Sequence, residues 1–251
     1  MTEADRGHPA SPHGRSQSIE QPTYWWYRAR SELLRATLAE HVGRSGFVLD
    51  VGSADGPSVA WLRQGSRVVS CDLDPRGLEA GGGVRASLPQ LPFPDSVFDV
   101  VAAFDVIEHC QSESRAIAEA VRVLRPGGQL LISVPAYQWA WSDHDVRAGH
   151  HRRYTRPRLI AAVNAEGLRV DRATYAFAGV FPFFLAERGI RRARDARRRG
   201  GSMPPGLTPV PVKVEALLHT LCHAEARWLR QHDVPFGSSI FLAATKPRIA
   251  V

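Results

Sequence analysis

Two stretches of the sequence carry residue types whose spacing suits chemistry. The first, Val48-Leu49-Asp50-Val51-Gly52-Ser53-Ala54-Asp55-Gly56, is an apolar run ending in a glycine-bearing turn. Gly52 lets the backbone bend sharply and approach a ligand where a Cβ would collide, and Gly56 does the same where a helix would begin. A strand-to-helix turn at the carboxyl edge of a sheet is the usual binding crevice of open α/β folds. About twenty residues further on, Val68-Val69-Ser70-Cys71-Asp72 ends in a carboxylate placed to accept from two ribose hydroxyls. The glycine spacing is not G-x-G-x-x-G, which counts against a nicotinamide or flavin dinucleotide. The second stretch is Trp139-Ala140-Trp141-Ser142-Asp143-His144-Asp145, followed by Gly149-His150-His151-Arg152-Arg153-Tyr154. Its tryptophans offer flat walls suited to sugar faces or aromatic rings, and His144, Asp145 and His150 offer proton acceptors. The same residues also suit a purely structural knot, with Asp145 paired to Arg152 or Arg153.

These residues need a scaffold, and the hydrophobic pattern predicts one. Gly46–Val51, Arg67–Cys71, Val97–Phe104 and Gln129–Val134 are short, nearly unbroken apolar runs, as expected of parallel strands buried on both faces. Helix-like stretches separate them: Pro57–Gln64, with a proline suited to a first turn, and Ser112–Leu124, stopped by Pro126-Gly127-Gly128. Strand and helix in alternation imply a doubly wound α/β sheet. Tyr24-Trp25-Trp26-Tyr27 opens a helix through Leu33, Leu34 and Leu38. Later, Arg156–Glu166 reads as a helix, Leu168–Tyr175 as a strand and Ser238–Thr245 as the last strand. Residues 1–22, rich in Pro, Ser, Gly and His, read as a disordered tail. Residues 23–175 and 236–251 form the expected core, and 176–235 a helical insertion or cap, with a Gly/Pro linker at Gly200–Pro211 and an amphipathic helix from Val214 to Trp228.

Four segments in order carry a family resemblance: Val48–Gly56, Asp72, Leu91-Pro92-Phe93-Pro94-Asp95-Ser96-Val97-Phe98-Asp99, and Leu124-Arg125-Pro126-Gly127-Gly128. Over roughly Tyr24 to Pro247 the chain resembles the class I S-adenosylmethionine-dependent methyltransferases. The resemblance implies a Rossmann-like seven-stranded sheet whose last strand, Ser238–Thr245, runs antiparallel. It implies S-adenosyl-L-methionine as cofactor and S-adenosyl-L-homocysteine as product. Asp50, Gly52, Ser53 and Gly56 would surround the methionine part, and Asp72 would hold the ribose, with Leu73 packed on the adenine. Ser87 and Leu88 would sit beside the adenine ring, and Phe104 would line the cofactor's other side. Many relatives carry an aspartate where Ser87 stands; its hydroxyl would bond the adenine amino group less strongly. The Trp139–Tyr154 stretch, with Tyr24–Arg30 and Pro235–Ser238, is similar to a bacterial branch with W-S-x-H-D and G-H-x-R-R-Y signatures. Members of that branch are linked to methylation of glycans, glycolipids and secondary metabolites.

The resulting expectation is O-methylation of a hydroxyl on such an acceptor, with His144 or His150 as general base. An alcohol must lose a proton to attack a sulfonium, and a neutral imidazole can take it. N- or C-methylation of a secondary metabolite is the alternative. RNA methylation is disfavoured because no Asn/Asp-Pro-Pro-Tyr motif or appended RNA-binding module occurs; a non-catalytic cofactor-binding protein is the reading from another class. His109 reads as structural or cofactor-side, and no spacing demands a metal site.

Composition bounds the rest. The chain has 251 residues, a net charge of +7 and 44% hydrophobic residues, ordinary for one large globular domain or one domain with a sub-domain. Three cysteines without CxxC spacing argue against a disulfide framework or a structural zinc site. No apolar run approaches the about 20 residues of a spanning helix, and the polar start suits no signal peptide, so a cytoplasmic protein is expected. All basic residues but Lys213 and Lys246 are arginine, and Arg188, Arg191, Arg192, Arg194, Arg197, Arg198 and Arg199 cluster after the apolar run Ala176–Ala186. Residues 176–199 could therefore meet an anionic membrane surface.

Overall fold

The computed structural model describes residues 24–43, 46–52, 60–78, 83–197 and 210–248. The expected tail at 1–22, most of the linker at Gly200–Pro211, and the first turn of the expected Pro57–Gln64 helix lie outside them. What is described of that helix is a single 3-10 turn, Ala60–Arg63.

Helix α1 (Trp25–Val42) buries Ala29, Leu33, Leu34 and Leu38 along one face. Strands β1 (Phe47–Val51), β2 (Arg67–Asp72), β3 (Val84–Arg85) and β4 (Phe98–Phe104) follow. Helix α2 (Glu113–Val123) buries Ala116, Ile117, Ala120 and Val123, a helical repeat. It runs straight into β5 (Leu124–Pro135), so the expected helix stop at Arg125-Pro126-Gly127-Gly128 is already strand. Helices α3 (Asp143–Ala148) and α4 (Arg156–Ala165), strand β6 (Arg169–Ala176), helices α5 (Phe181–Arg197) and α6 (Val212–Leu229), and strand β7 (Ser239–Thr245) complete the order.

The sheet has seven strands in the order β3-β2-β1-β4-β5-β7-β6. β1 to β5 pair in parallel, and β7 runs antiparallel between β5 and β6. The strand order reverses between β1 and β4, which opens a crevice at their carboxyl ends. Alternation along β4 explains the two cores. Val101 and Ala103 face a core with Ile117, Ala120, Leu159 and Val163 from α2 and α4. Val100, Ala102 and Phe104 face the opposite one, shared by Leu33 and Leu38 of α1 and by Leu218, Cys222 and Leu229 of α6. Within the segment expected as an insertion, α6 thus lies beside α1 on the sheet. Glu225 of α6 accepts the backbone N–H groups of Ala178 (2.9 Å) and Gly179 (2.8 Å), fixing the chain just before α5.

Candidate active site

The site grows from the carboxyl ends of β1, β2, β4 and β5. Val51 is level with Cys71 on one side and Ala103 on the other. One residue further on, Gly52, Asp72 and Phe104 therefore stand side by side. Gly52 has φ 75° and donates to the Cys71 carbonyl at 2.7 Å. A Cβ at Gly52 would lie 2.5 Å from Val106 Cγ2, so only glycine fits this close turn. The half-buried Asp72 accepts the Asp74 N–H at 2.7 Å, and Asp74 caps the next turn through the Arg76 N–H. The carboxylate is thereby held at the strand end. Leu73 is 53% exposed, an apolar side chain on the rim that could cover a flat ring. Ser87 is half-buried in a tight bridge with Gln90. The side chain of Leu88 is 1% exposed and packs in the core, so what it can offer a ring is its backbone. Phe104 is buried against Trp61, with ring centroids 6.2 Å apart. Asp50 is buried on β1, two residues before Gly52. Ser53 and Gly56 lie outside the described residues. A glycine turn that excludes a Cβ, beside a strand-end carboxylate and an exposed apolar side chain, fits a nucleoside-bearing cofactor.

The histidine loop follows β5 at the same edge. Tyr154 donates to the Pro135 carbonyl (2.9 Å) and Tyr137 donates to the Tyr154 carbonyl (2.6 Å), which stitches the loop to the strand. Ser142 and Asp145 form a capping box that starts α3, with Ser142 N–H donating to Asp145 at 2.8 Å. Asp145 is fully buried. It receives Arg153 through Nε at 2.7 Å and Nη2 at 3.1 Å, and His150 Nδ1 at 2.9 Å. Burial alone would raise its pKa; the bonds from His150 and Arg153 overcome that and hold it well below the carboxylate range. Of the predicted catalytic trio, Asp145 and His150 form a fixed dyad. His144 keeps an exposed edge, 6.3 Å from the His150 ring by centroid. Desolvation by the surrounding chain lowers the His144 pKa, Asp145 opposes this, and His150 and Arg188 add to it, so the ring is neutral near pH 7. The knot expected from Arg152 or Arg153 is Arg153's; Arg152 reaches the Gln111 carbonyl instead.

Three features escaped the sequence reading. Arg30 of α1, 1% exposed, pairs with Asp105 at 2.8 Å, and Ser133 of β5 donates to the same carboxylate at 2.8 Å. This ties the first helix beneath the site, where Asp105 adopts φ 55°. Tyr137, at φ 62°, stacks between Trp139 and Tyr175, each 5.3 Å away, and touches Phe181. Trp139 and Phe236 stay 47% and 45% exposed and form an aromatic rim. Finally, Glu108 and His109, on the single turn Ile107–His109 after β4, stand against His150, and ligand atoms of the three lie within 4.8 Å of one another. The Glu-His pair was visible in the sequence, but its nearness to a loop more than thirty residues away was not.

Comparison with known proteins agrees with this geometry. Residues 49–132 match the family model described as a methyltransferase domain. An uncharacterized methyltransferase of Mycolicibacterium gilvum is 32% identical over 179 residues, covering 60% of this chain and 70% of that protein. Another, from a Mycobacterium species, is 34% identical over 161 residues; the match spans 54% of this chain and 64% of that relative's length. The N-methyltransferase NodS of Bradyrhizobium japonicum, solved with S-adenosyl-L-homocysteine, shares the fold with a TM-score of 0.55 at 14% identity, over 94% of this chain and 95% of its own. With its seven-stranded sheet and antiparallel penultimate strand position filled by β7, the chain belongs to the S-adenosylmethionine-dependent methyltransferases.

Proposed function

We propose that the protein methylates a hydroxyl of a small molecule or glycan, on a sugar, glycolipid or secondary metabolite, using a histidine as proton acceptor. The observation that carries this reading is the Asp145–His150 dyad with His144 beside it, at the strand edge that also bears Gly52 and Asp72. S-adenosyl-L-methionine, when bound, supplies a methyl group on a positively charged sulfur. Gly52 and Asp72, with Asp50, Leu73, Ser87, Leu88 and Phe104 around them, would hold that cofactor; Ser53 and Gly56 are assigned by resemblance alone. The chain's task is then to position and to move a proton. The cofactor would supply the methyl group to the acceptor oxygen and leave as the neutral thioether, so the residues around it would only have to hold the acceptor hydroxyl toward it. The hydroxyl proton passes to an imidazole nitrogen and on to solvent. Asp145 keeps His150 in one tautomer and orientation, and the exposed Trp139 offers a flat wall for the acceptor.

The apolar rim supports an acceptor with a lipid part. Phe183, Leu185 and Ile190 are 49%, 41% and 52% exposed on α5, the helix whose Phe181 meets Tyr137 and Phe236, and Arg188 lies over Phe184 at 5.0 Å. Residues 176–199 could thus face an anionic membrane from a cytoplasmic position, although the arginines from Arg191 onward have side chains outside the described residues. Among the described residues no helix is long and apolar enough to cross a membrane. A panel of hydroxylated, amine-bearing and carbon-acid acceptors, read by S-adenosyl-L-homocysteine release and product mass, tests the reading. Methylated oxygen supports it; methylation confined to nitrogen or carbon rejects it.

A further inference from the structure

We propose that Glu108, His109 and His150 form a binding site for one divalent transition-metal ion of the zinc kind. Three observations converge on it. The first is the donor set: one carboxylate and two imidazoles, with ligand atoms within 4.8 Å of one another. Metal–ligand bonds of about 2.1 Å in tetrahedral arrangement place donors about 3.4 Å apart, so modest side-chain rotation closes the set. Rings already in edge-to-face contact, with His109 and His150 centroids 4.6 Å apart, need little movement.

The second observation is the carboxylate itself. Glu108 is fully buried, and among the described residues no donor from another residue reaches either of its oxygens. A carboxylate removed from water needs a charge partner or a proton. The cations nearby are committed elsewhere: Arg30 to Asp105 and Ser133, Arg153 to Asp145 and the Ala136 carbonyl.

The third observation is the support behind His150. Its Nδ1 is engaged by Asp145, which Arg153 and Ser142 hold in turn, leaving Nε2 as the ligand atom. A carboxylate behind a ligating histidine fixes its tautomer and ring direction and is the usual outer shell of such sites. The His151 N–H donates to the Glu108 carbonyl at 2.7 Å, which locks the two segments together. Two nitrogens and one oxygen suit zinc, manganese or iron(II) better than magnesium or calcium, which prefer oxygen throughout. Three protein ligands leave a position open. The role, unlike the binding, rests on the O-methylation reading: an ion there would act as a Lewis acid toward the acceptor hydroxyl, with His144 left to take the proton.

The test uses tag-free full-length protein, stripped with a chelator and titrated with Zn²⁺ by calorimetry and with Co²⁺ by visible absorption, without cofactor or acceptor. One ion per chain is expected, with the absorption of a low-coordinate nitrogen and oxygen site. Glu108→Gln, His109→Asn and His150→Asn should each weaken binding by at least about tenfold. S-adenosyl-L-homocysteine titration of every variant reports folding and tests the cofactor site separately. Wild-type protein that takes up no ion, or folded variants that bind it as tightly as wild type, would overturn the site and leave a proton as the partner of Glu108.

Discussion

Replacing Gly52 by alanine probes the turn on which the cofactor site depends. Two costs follow from its geometry. At φ 75° an alanine sits in the left-handed region, which costs about 1–2 kcal/mol. Its Cβ would also stand 2.5 Å from Val106 Cγ2, and overpacking of this kind costs about 1–3 kcal/mol. The stiffer unfolded chain returns about 0.4–1 kcal/mol. Gly52→Ala should therefore lose about 1–4.5 kcal/mol, shared between folding stability and cofactor affinity because the backbone would shift where the proposed cofactor approaches. Urea unfolding with and without S-adenosyl-L-homocysteine, together with calorimetric titration, measures both shares. Val106→Ala in the same chain removes the struck methyl but not the backbone strain, so the double-mutant cycle should show a coupling of about 1–3 kcal/mol. A Gly52→Ala protein as stable as wild type and binding as tightly would refute the argument. So would single costs that simply add, since the clash would then not be the cause.

If Asp72 holds the ribose as proposed, Asp72→Ala would remove charge-assisted bonds to it and should weaken S-adenosyl-L-homocysteine by about 1.5–3 kcal/mol in calorimetry, with little change in the unfolding midpoint. Glu119 of α2 accepts Arg122 through both oxygens and the Leu91 N–H at 2.8 Å, and the Arg122 bond depresses its pKa. Its stabilisation is present above its unfolded pKa and fades as pH falls through the lower folded value. Glu119→Gln should thus cost about 1 kcal/mol at pH 7, with the gap from wild type shrinking in urea titrations as the pH is taken down below 4. Flotation with anionic vesicles at low salt should carry the protein upward; recovery only in the bottom fraction rejects the membrane contact of residues 176–199.

Much of the sheet was legible because its strands are buried on both faces and leave apolar runs that need no partner to be seen. β4 is the clearest, with Val100, Val101, Ala102 and Ala103 all sealed in one core or the other. Strand β3 was missed because it is two residues long, and α3 because six residues of mixed polarity carry no helical stripe. The sequence displayed Gly52 and Asp72 through local spacing, and the pairing of β1 with β2 puts them together. Contacts between distant segments were not legible. Arg30 is marked in the sequence only as part of the Tyr24–Arg30 likeness, and its partner Ser133 lies 103 residues away. Asp145 reads either as a proton acceptor or as the partner of Arg152 or Arg153; two nitrogens of Arg153 and the His150 imidazole fill its oxygens, which makes it the group that orients His150.

The central claim, that an imidazole of this loop takes the acceptor's proton, is tested most directly by turnover of His144→Ala and His150→Ala on a methylated hydroxyl acceptor, with cofactor affinity measured alongside. The account predicts that at least one variant loses about 10²–10⁴-fold in turnover while binding S-adenosyl-L-homocysteine nearly as wild type does. Both variants turning over within a few-fold of wild type would contradict it.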